Sequence, residues 1–439
     1  MSIMSLSNRI ICTIKRVLPR GRFARNVTIF AGGAALGQAV TVLVSPILTR
    51  IYTPGDFGVF GVYASILGIV TVIASLRYEY ALPLPEEDIT AANLMVLCFL
   101  LLLVISFSVS GLIYCLRDKI LIWANVTALR HYLWLIPLGI MGGGVYQILN
   151  YWAIRNRDFM RIARTKLSRG VGRAAVQVVI GFIHAGPLGL VLGQFAGETA
   201  GSASLGVAAW KNERDLFKKV NLRGMYQAGL RYKRFPLFSS WADFLEALGL
   251  HIPQLFFAGF YGVTVAGWFA LGQRVIAAPL NIVVDSVAQI YFGEAARLSR
   301  DDPKSVKRLF LKLTSRLALI GGVLVVIICA LATWLFVLVF GSNWEMAGRY
   351  VQIMGPMFAI RFITVPLSHT LNILERQDLY SVWESTRLVL VIGSLLLIKA
   401  FRFSHIGAVV IYSLSMSVAY VVLGIITWQA LTGSKKRKD

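Results

Sequence analysis

Charge is scarce in this sequence. Only 15% of its 439 residues are Asp, Glu, Lys or Arg, against roughly a quarter in a soluble domain. Acids are the scarcer kind, 21 against 44 bases. Cysteine is nearly missing, and Cys12, Cys98, Cys115 and Cys329 show no paired spacing. Neither a disulfide framework nor a metal cluster follows. The five histidines, His131, His184, His251, His369 and His405, are scattered without ligand spacing. No P-loop, GxGxxG or nucleophile–base pairing occurs, which argues against an ATPase or a hydrolase. The short alternating segments of a membrane β-barrel are absent as well.

What the chain does have is apolar length. It is 57% hydrophobic, and runs of about 20 apolar residues recur, each long enough to cross a bilayer core of roughly 30 Å. The fold class is therefore an all-α polytopic membrane protein. Apolar runs read against charged breaks give about twelve transmembrane helices. The first six are 27–49, 57–76, 91–115, 131–154, 167–184 and 188–210. The second six are 237–260, 264–292, 313–340, 347–374, 384–401 and 405–431.

The net charge of +23 does not point to nucleic acid, because the bases sit in loops between apolar runs, where they set topology. Of the 44 Lys and Arg, with those near a span end counted in the adjoining loop, 34 fall on the side of the termini and the even-numbered loops, 7 on the other side and 3 deep within spans. That bias assigns both termini to the cytoplasm. Residues 9–25 read as a basic, weakly amphipathic strip on the membrane surface. No uninterrupted apolar stretch precedes Pro19-Arg20-Gly21-Arg22, so a cleaved signal peptide is not expected. The resulting organisation is a basic N-terminal segment, 1–26, and a first lobe, 27–210. A basic cytoplasmic linker, 211–236, leads to a second lobe, 237–431, and a basic tail, 432–439.

An internal repeat underlies the two lobes. The segment LTRIYTPGDFGVF, 48–60, carries Tyr52, Gly58 and Phe60, and the same Y-x5-G-x-F pattern returns 209 residues later as Tyr261, Gly267 and Phe269. Arg157-Asp158-Phe159 is echoed by Gln377-Asp378-Leu379, and Leu188-Gly189 by Ile406-Gly407. Three matches in the same order argue for two six-helix halves related by an axis along the membrane normal. Such halves enclose a midplane site and rock against each other. Pro54-Gly55-Asp56 reads as a periplasmic turn, and the two matched hairpins are expected to meet or part at the outer mouth.

Ionisable residues within spans are costly and mark function. The basic ones are Arg173, Arg274 and Arg361; the acidic ones are Glu198, Asp243, Glu246 and Asp285. Glu246 and Arg274 fall near mid-bilayer on adjacent spans. They form either a structural ion pair or a place where an anionic substrate competes for the guanidinium. Arg274, Asn281, Asp285 and Gln289 share one helical face, as do Gln38, Thr41, Ser45 and Thr49. A polar stripe must face protein or water, and for the stripe containing Arg and Asp a wet cavity is expected. Gly142-Gly143-Gly144, Gly32-Gly33 and Gly37 read as close-packing points. Pro46, Pro137, Pro253, Pro279, Pro356 and Pro366 are sites for helix kinks.

The sequences Arg25-Asn26-Val27, LTRIYTPGDFGVF, SLRYEYALPLPEED (75–88), IRNRDFMRIARTKLSR (154–169), YKRFPLFSS (232–240) and FYGVTVAGWFALGQRVIAAPLNIVVDSVAQIYFGEAAR (260–297) together carry a resemblance. Over about residues 24–430 the chain resembles the Wzx-like polysaccharide flippases. These form the polysaccharide transport branch of the multidrug/oligosaccharidyl-lipid/polysaccharide exporter superfamily. The resemblance implies a V-shaped, MATE-like fold with spans 1, 2, 7 and 8 facing a central cavity. It implies passage of an undecaprenyl-pyrophosphate-linked oligosaccharide, such as an O-antigen, capsule or exopolysaccharide repeat unit, to the outer leaflet of the bacterial inner membrane. The lipid II flippase branch typically has fourteen helices rather than twelve.

On this reading Arg274, Arg50 and Arg361 meet the pyrophosphate in the cavity, with Gln38 and Asn281 beside them, and Arg25 and Arg77 receive the headgroup at the cytoplasmic mouth. Asp285, Glu246 and Asp243 are the candidates for proton or sodium coupling or for structural ion pairs. No resident cofactor or metal is expected. The partners implied are the lipid-linked oligosaccharide, membrane lipids, and a polysaccharide polymerase and glycosyltransferases. The rival readings are a drug or cation antiporter of the same superfamily, which would rely on the acids, and a non-transporting scaffold for glycosyltransferases.

Overall fold

The chain begins its described course inside a helix and is helical almost throughout. A computed structural model describes residues 22–124, 127–183, 186–301, 303–374 and 376–433. The basic strip at 9–25 therefore falls largely outside the described residues, as do Cys12, His184 and most of the basic tail.

The first helices are α1 (Arg22–Leu43), α2 (Ser45–Ile51), α3 (Pro54–Thr71), α4 (Asp88–Ala124), α5 (Leu135–Arg155) and α6 (Phe159–Phe182). Then come α7 (Leu188–Thr199), α8 (Ser202–Phe217) and α9 (Leu222–Arg231). The rest of the chain forms α10 (Ser240–Tyr261), α11 (Val263–Asp301), α12 (Pro303–Phe340), α13 (Glu345–Ile373), α14 (Gln377–Phe401) and α15 (His405–Gly433). Among the described residues seven helices are long and apolar enough to cross a membrane: α3, α11, α13, α14, α15 and most of α4 and α12.

Two expected spans are broken. The first divides at Val44, just before Pro46, into α1 and α2, because proline lacks the N–H that would continue the ladder. The sixth divides at Gly201, whose φ of 90° turns the chain between α7 and α8. Left-handed backbone of this kind is accessible to glycine at little steric cost. By contrast Pro253, Pro279, Pro356 and Pro366 are accommodated inside α10, α11 and α13.

Pro54-Gly55-Asp56, expected as a turn, is already helix. Thr53 caps α3, its Oγ1 accepting from the Asp56 N–H at 3.2 Å, while Asp56 Oδ2 accepts from the Thr53 N–H at 2.9 Å. Proline at the first helical position completes a reciprocal capping box. A strong start signal of this kind explains why the hairpin occupies almost no chain.

Helices α1–α8 pack mostly on one another, as do α10–α15, and the two sets meet chiefly where α3 lies against α10 and α11. Gly33 and Gly37 sit against the backbones of Ala163 and Lys166, so this pair closes the α1–α6 crossing within the chain. The central crossing is reciprocal. Gly58 of α3 lies against the Val263 carbonyl, and Gly267 of α11 lies against the Pro54 carbonyl. These four residues are two pairs displaced by 209, so the repeat found in the sequence is realised as an isologous contact.

The repeated tyrosines also hold equivalent places. The Tyr52 hydroxyl donates to the Gln177 carbonyl of α6 at 2.6 Å, and the Tyr261 hydroxyl to the Phe403 carbonyl beyond α14 at 2.7 Å. The same end is sealed further by Trp344, fully buried, whose indole N–H donates to the Thr49 carbonyl at 3.1 Å and whose ring meets Phe57 edge-on at 4.9 Å.

A Cβ at Gly58 or Gly267 would overlap the opposing carbonyl. Gly58→Ala and Gly267→Ala should each destabilise the protein by about 1–3 kcal/mol, the usual cost of overpacking. Their effects should be less than additive because both part the same crossing. Thermal unfolding of the detergent-purified variants checks this.

Candidate functional site

Arginines converge where α6 packs on α7, within electrostatic reach of α11. Arg169 and Arg173 stand one turn apart on α6 and both reach Glu198 of α7. Arg169 Nη2 donates to Glu198 Oε2, and Arg173 Nη2 lies 3.2 Å from Oε1. The Gln194 amide adds a bond to the same carboxylate at 2.8 Å, and Arg169 Nε donates to the Gly197 carbonyl at 2.8 Å. The Arg169 guanidinium also lies 4.1 Å above the centre of the Tyr146 ring, a cation–π contact that strengthens when water is excluded.

Arg274 of α11 faces this cluster and lies within electrostatic reach of Arg173. Its Nη2 donates to the Thr41 carbonyl of α1 at 3.0 Å. The expected Glu246–Arg274 pair is not formed. Glu246 is exposed, and its part in the packing is a backbone carbonyl 3.5 Å from Arg387 Nη2.

Two guanidinium groups thus share one carboxylate, and a third, that of Arg274, lies within electrostatic reach of Arg173 with no carboxylate of its own among the described residues. The Nε atoms of Arg173 and Arg274 are buried with no hydrogen-bond partner. Buried donors are normally satisfied, and an orphan next to uncompensated positive charge calls for a reason. A site of this composition is suited to an anion with several acceptor oxygens, which can take multiple charge-assisted hydrogen bonds.

The α1 stripe behaves differently from expectation. Thr41, Ser45 and Thr49 are buried, and their hydroxyls donate to Gly37, Thr41 and Pro46 carbonyls of their own chain segment. They are unavailable as donors to a ligand, leaving Gln38 as the exposed member. On α11, Asp285 and Gln289 are exposed while Asn281 Oδ1 accepts from Arg361 Nη2 at 2.9 Å. Arg361 and His369 of α13 lie near Asp285. Arg361 thus belongs to a second cluster with Asn281 and Asp285. Arg50 is exposed and forms no ion pair among the described residues. Arg25 lies in the first turn of α1, and its side chain is outside the described residues.

Arg77 is held at the opposite end of α3 from the glycine crossing. Its Nε lies 2.7 Å from Asp243 Oδ2 of α10 and its Nη1 lies 3.3 Å from Glu79 Oε1. The Tyr80 hydroxyl donates to the same Asp243 oxygen at 2.9 Å, beneath the Arg77 guanidinium at 4.8 Å. Leu76 and Arg77 both have positive φ, 51° and 58°, which non-glycine residues adopt at a cost and which recurs in switch segments. Burial pushes the Glu79 carboxyl above its ordinary value, opposed by the Ser75 hydroxyl and Arg77. The Arg77–Asp243 pair is therefore a bridge between the two sets of helices.

Sequence reasoning missed Arg169 because, two residues into the expected span 167–184, it was counted with the basic loop before it, whereas α6 begins at Phe159 and carries it into the packed interior. It also missed Arg387, 4% exposed, which lies 2.6 Å from Glu384 on α14. Helix α14 starts at Gln377, seven residues before the expected span. Both stand within three residues of an expected span start, at 167 and 384, and extending the helices back to Asp158 and Asp378 would have shown them to be charges in depth rather than loop charges. Among the described residues no group of His, Cys, Asp and Glu could hold a metal ion.

Comparison with known proteins places this architecture. Residues 47–348 match the polysaccharide biosynthesis protein family. The chain belongs to that family. It is 21% identical over 298 residues to the teichuronic acid biosynthesis protein TuaB of Bacillus subtilis strain 168. That match covers 67% of this chain and 58% of TuaB, so it spans somewhat over half of the relative's length.

Among solved structures, the fold is similar to the lipid II flippase MurJ in an inward closed conformation. The TM-score is 0.71 at 12% identity, covering 93% of this chain and 87% of MurJ. It is also similar to an inward-facing multidrug resistance MATE family transporter of the MOP superfamily. There the TM-score is 0.69 at 13% identity, over 94% of this chain and 96% of the other. The all-helical fold of these membrane transporters is thus shared by this multi-pass membrane protein.

Glu198→Ala strands Arg169 and Arg173 together and should cost about 3 kcal/mol, as when one partner of a buried ion pair is removed. Arg274→Ala gives up one hydrogen bond to a backbone carbonyl and should cost about 1 kcal/mol. Chemical denaturation or thermal unfolding in detergent would distinguish the two residues by stability alone.

Proposed function

We propose that this protein flips an undecaprenyl-pyrophosphate-linked oligosaccharide from the cytoplasmic to the outer leaflet of the bacterial inner membrane, working by alternating access. On this reading it is a transporter with twelve spans in two six-helix lobes, 27–210 and 237–431, and both termini are cytoplasmic. The observation that carries the proposal is the excess of positive charge formed by Arg169 and Arg173 on the single carboxylate of Glu198, with Arg274 within electrostatic reach of Arg173 and the Nε atoms of Arg173 and Arg274 left without partners. Membership of the polysaccharide family supplies the substrate class.

The physical problem is the headgroup. A pyrophosphate and its sugars resist transfer into hydrocarbon, because desolvating an ion costs several kcal/mol even after relaxation. Arg173 and Arg274 would replace water at the phosphates, while the prenyl chain stays in lipid. Gln38, Asn281, Arg361 and Arg50 would line the route of the sugars and phosphate. Arg77 would meet the headgroup at the cytoplasmic mouth, where phosphate oxygens compete with Asp243 and Glu79 for the same guanidinium. Loading would then loosen the bridge between the lobes at that end.

Coupling to a proton or sodium ion falls on Asp285 and Glu246, exposed acids without an ion pair among the described residues. Asp243 is engaged by Arg77 and Tyr80 and serves the bridge instead. An antiporter for organic cations would need a surplus of acid at the centre, whereas the cluster found there has a surplus of base.

In liposomes carrying a fluorescent undecaprenyl-pyrophosphate-linked oligosaccharide, Arg274→Ala and Arg173→Ala should slow flipping at least about tenfold. The change should come with folding retained in the Arg274 variant, as expected for loss of charge-assisted hydrogen bonds to an anion. Unchanged flipping by a folded Arg274→Ala protein would exclude the phosphate role. Removal of Arg77 should instead raise accessibility of a cysteine placed near Asp243, read by thiol labelling, because the bridge is lost.

A further inference from the structure

A basic groove lies away from the central arginine cluster, between the start of α6 and one face of α8. Its volume is about 650 Å³, within the range of roughly 300–1,000 Å³ typical of small-ligand sites. Arg161, Arg164 and Lys211 line it together with Asp158, and Met160 and Val207 supply apolar wall. Asp158 is already engaged: it caps α6 and lies 3.0 Å from Arg161 Nε. Arg164 and Lys211 are exposed and form no ion pair among the described residues. The groove therefore presents two uncompensated cations above an apolar floor.

Its surroundings say what kind of molecule fits. Helix α8 packs on α4, α5 and α6, while α6 packs on α1, α2, α5, α7 and α8. The groove thus lies between two helices of the first set. Trp210, the neighbour of Lys211, is 58% exposed, and Val207, one turn earlier, is 64% exposed. An exposed indole beside basic residues, at the edge of apolar helices, is the pattern of a membrane interface. The Lys and Arg distribution puts this end in the cytoplasmic leaflet.

We infer that this groove binds the headgroup of an anionic phospholipid of the cytoplasmic leaflet, with its phosphate between Arg164 and Lys211 and its acyl chains along Met160 and Val207. Basic pockets between membrane helices on the cytoplasmic side are suited to such headgroups. The site is independent of substrate passage, and its occupant comes from the surrounding bilayer. A bound lipid would tie the start of α6 to α8 and so steady the base of the helix that carries Arg169 and Arg173.

The test is lipid retention by the purified full-length protein, measured by native mass spectrometry after titration with phosphatidylglycerol or phosphatidylcholine. The wild-type protein should retain phosphatidylglycerol preferentially. Arg164→Glu combined with Lys211→Glu should reduce that retention at least about twenty-five-fold, since each basic residue near an anionic surface contributes about fivefold or more. The milder Arg164→Gln with Lys211→Gln should show a smaller loss and guards against misfolding. Lys219→Glu with Arg223→Glu, the same charge change elsewhere on that end, should leave retention unchanged.

Equal retention of the two lipids by the wild type would overturn the proposal. So would equal loss in the Lys219/Arg223 variant, which would trace the effect to net charge alone. Displacement of phosphatidylglycerol from the groove by equimolar undecaprenyl phosphate would also overturn it, by giving the groove to the prenyl-linked substrate.

Discussion

An ion inside a membrane protein must be compensated locally, because neither lipid nor packed side chains can replace its lost hydration. Much of the polar architecture follows from this constraint. Glu198 is held by Arg169 and Arg173, Glu384 by Arg387, and Asp243 by Arg77. Arg361 rests on Asn281. Against that background the exceptions carry information. Arg274 is answered by a single carbonyl, and Asp285 and Glu246 remain exposed. Surplus base gathers where α6 packs on α7, and unpaired acid lies elsewhere along α10 and α11. A molecule that moves an anion by coupling it to a cation would need such a separation.

The two ends of α3 contrast in chemistry. At one end contact is steric, carbonyl against glycine, with Trp344 and the repeated tyrosines completing a dry seal. At the other end it is electrostatic, with Arg77 shared between Glu79 and Asp243 beneath Tyr80. A steric contact is indifferent to an anionic ligand, whereas a salt bridge can be exchanged for one. The polar closure is therefore the end of α3 at which an anionic ligand could compete for the contact that holds the two sets of helices together.

Much of this was legible in the sequence, and the reasons are local. Apolar length and the bias of Lys and Arg gave the membrane class, and the Tyr–Gly–Phe repeat anticipated the matched contacts of Gly58 and Gly267. Arg274 and Glu198 stood out because charge is rare in long apolar runs. Partnership was not legible. Adjacent spans suggested that Glu246 would answer Arg274, but helix rotation, invisible in spacing alone, aims Arg274 at α1. The hydroxyl stripe of Thr41, Ser45 and Thr49 has the period of a cavity face, yet its donors bond to carbonyls within their own chain segment, a choice open to any Ser or Thr in a helix. Arg169 and Arg387 stand at the very start of their apolar runs and so read as loop charges, whereas the helices begin earlier and take them into the packed interior.

The reciprocal crossing of α3 with α11 has one more implication. The two carbonyl–glycine contacts join the same two helices through residues displaced by 209, so a motion that parts α3 from α11 evenly must lengthen both together. Neither contact can act as a pivot for releasing the other. In a transport cycle that opens this end, the seal would yield in one step, with no stable half-open state leaking solutes across the membrane.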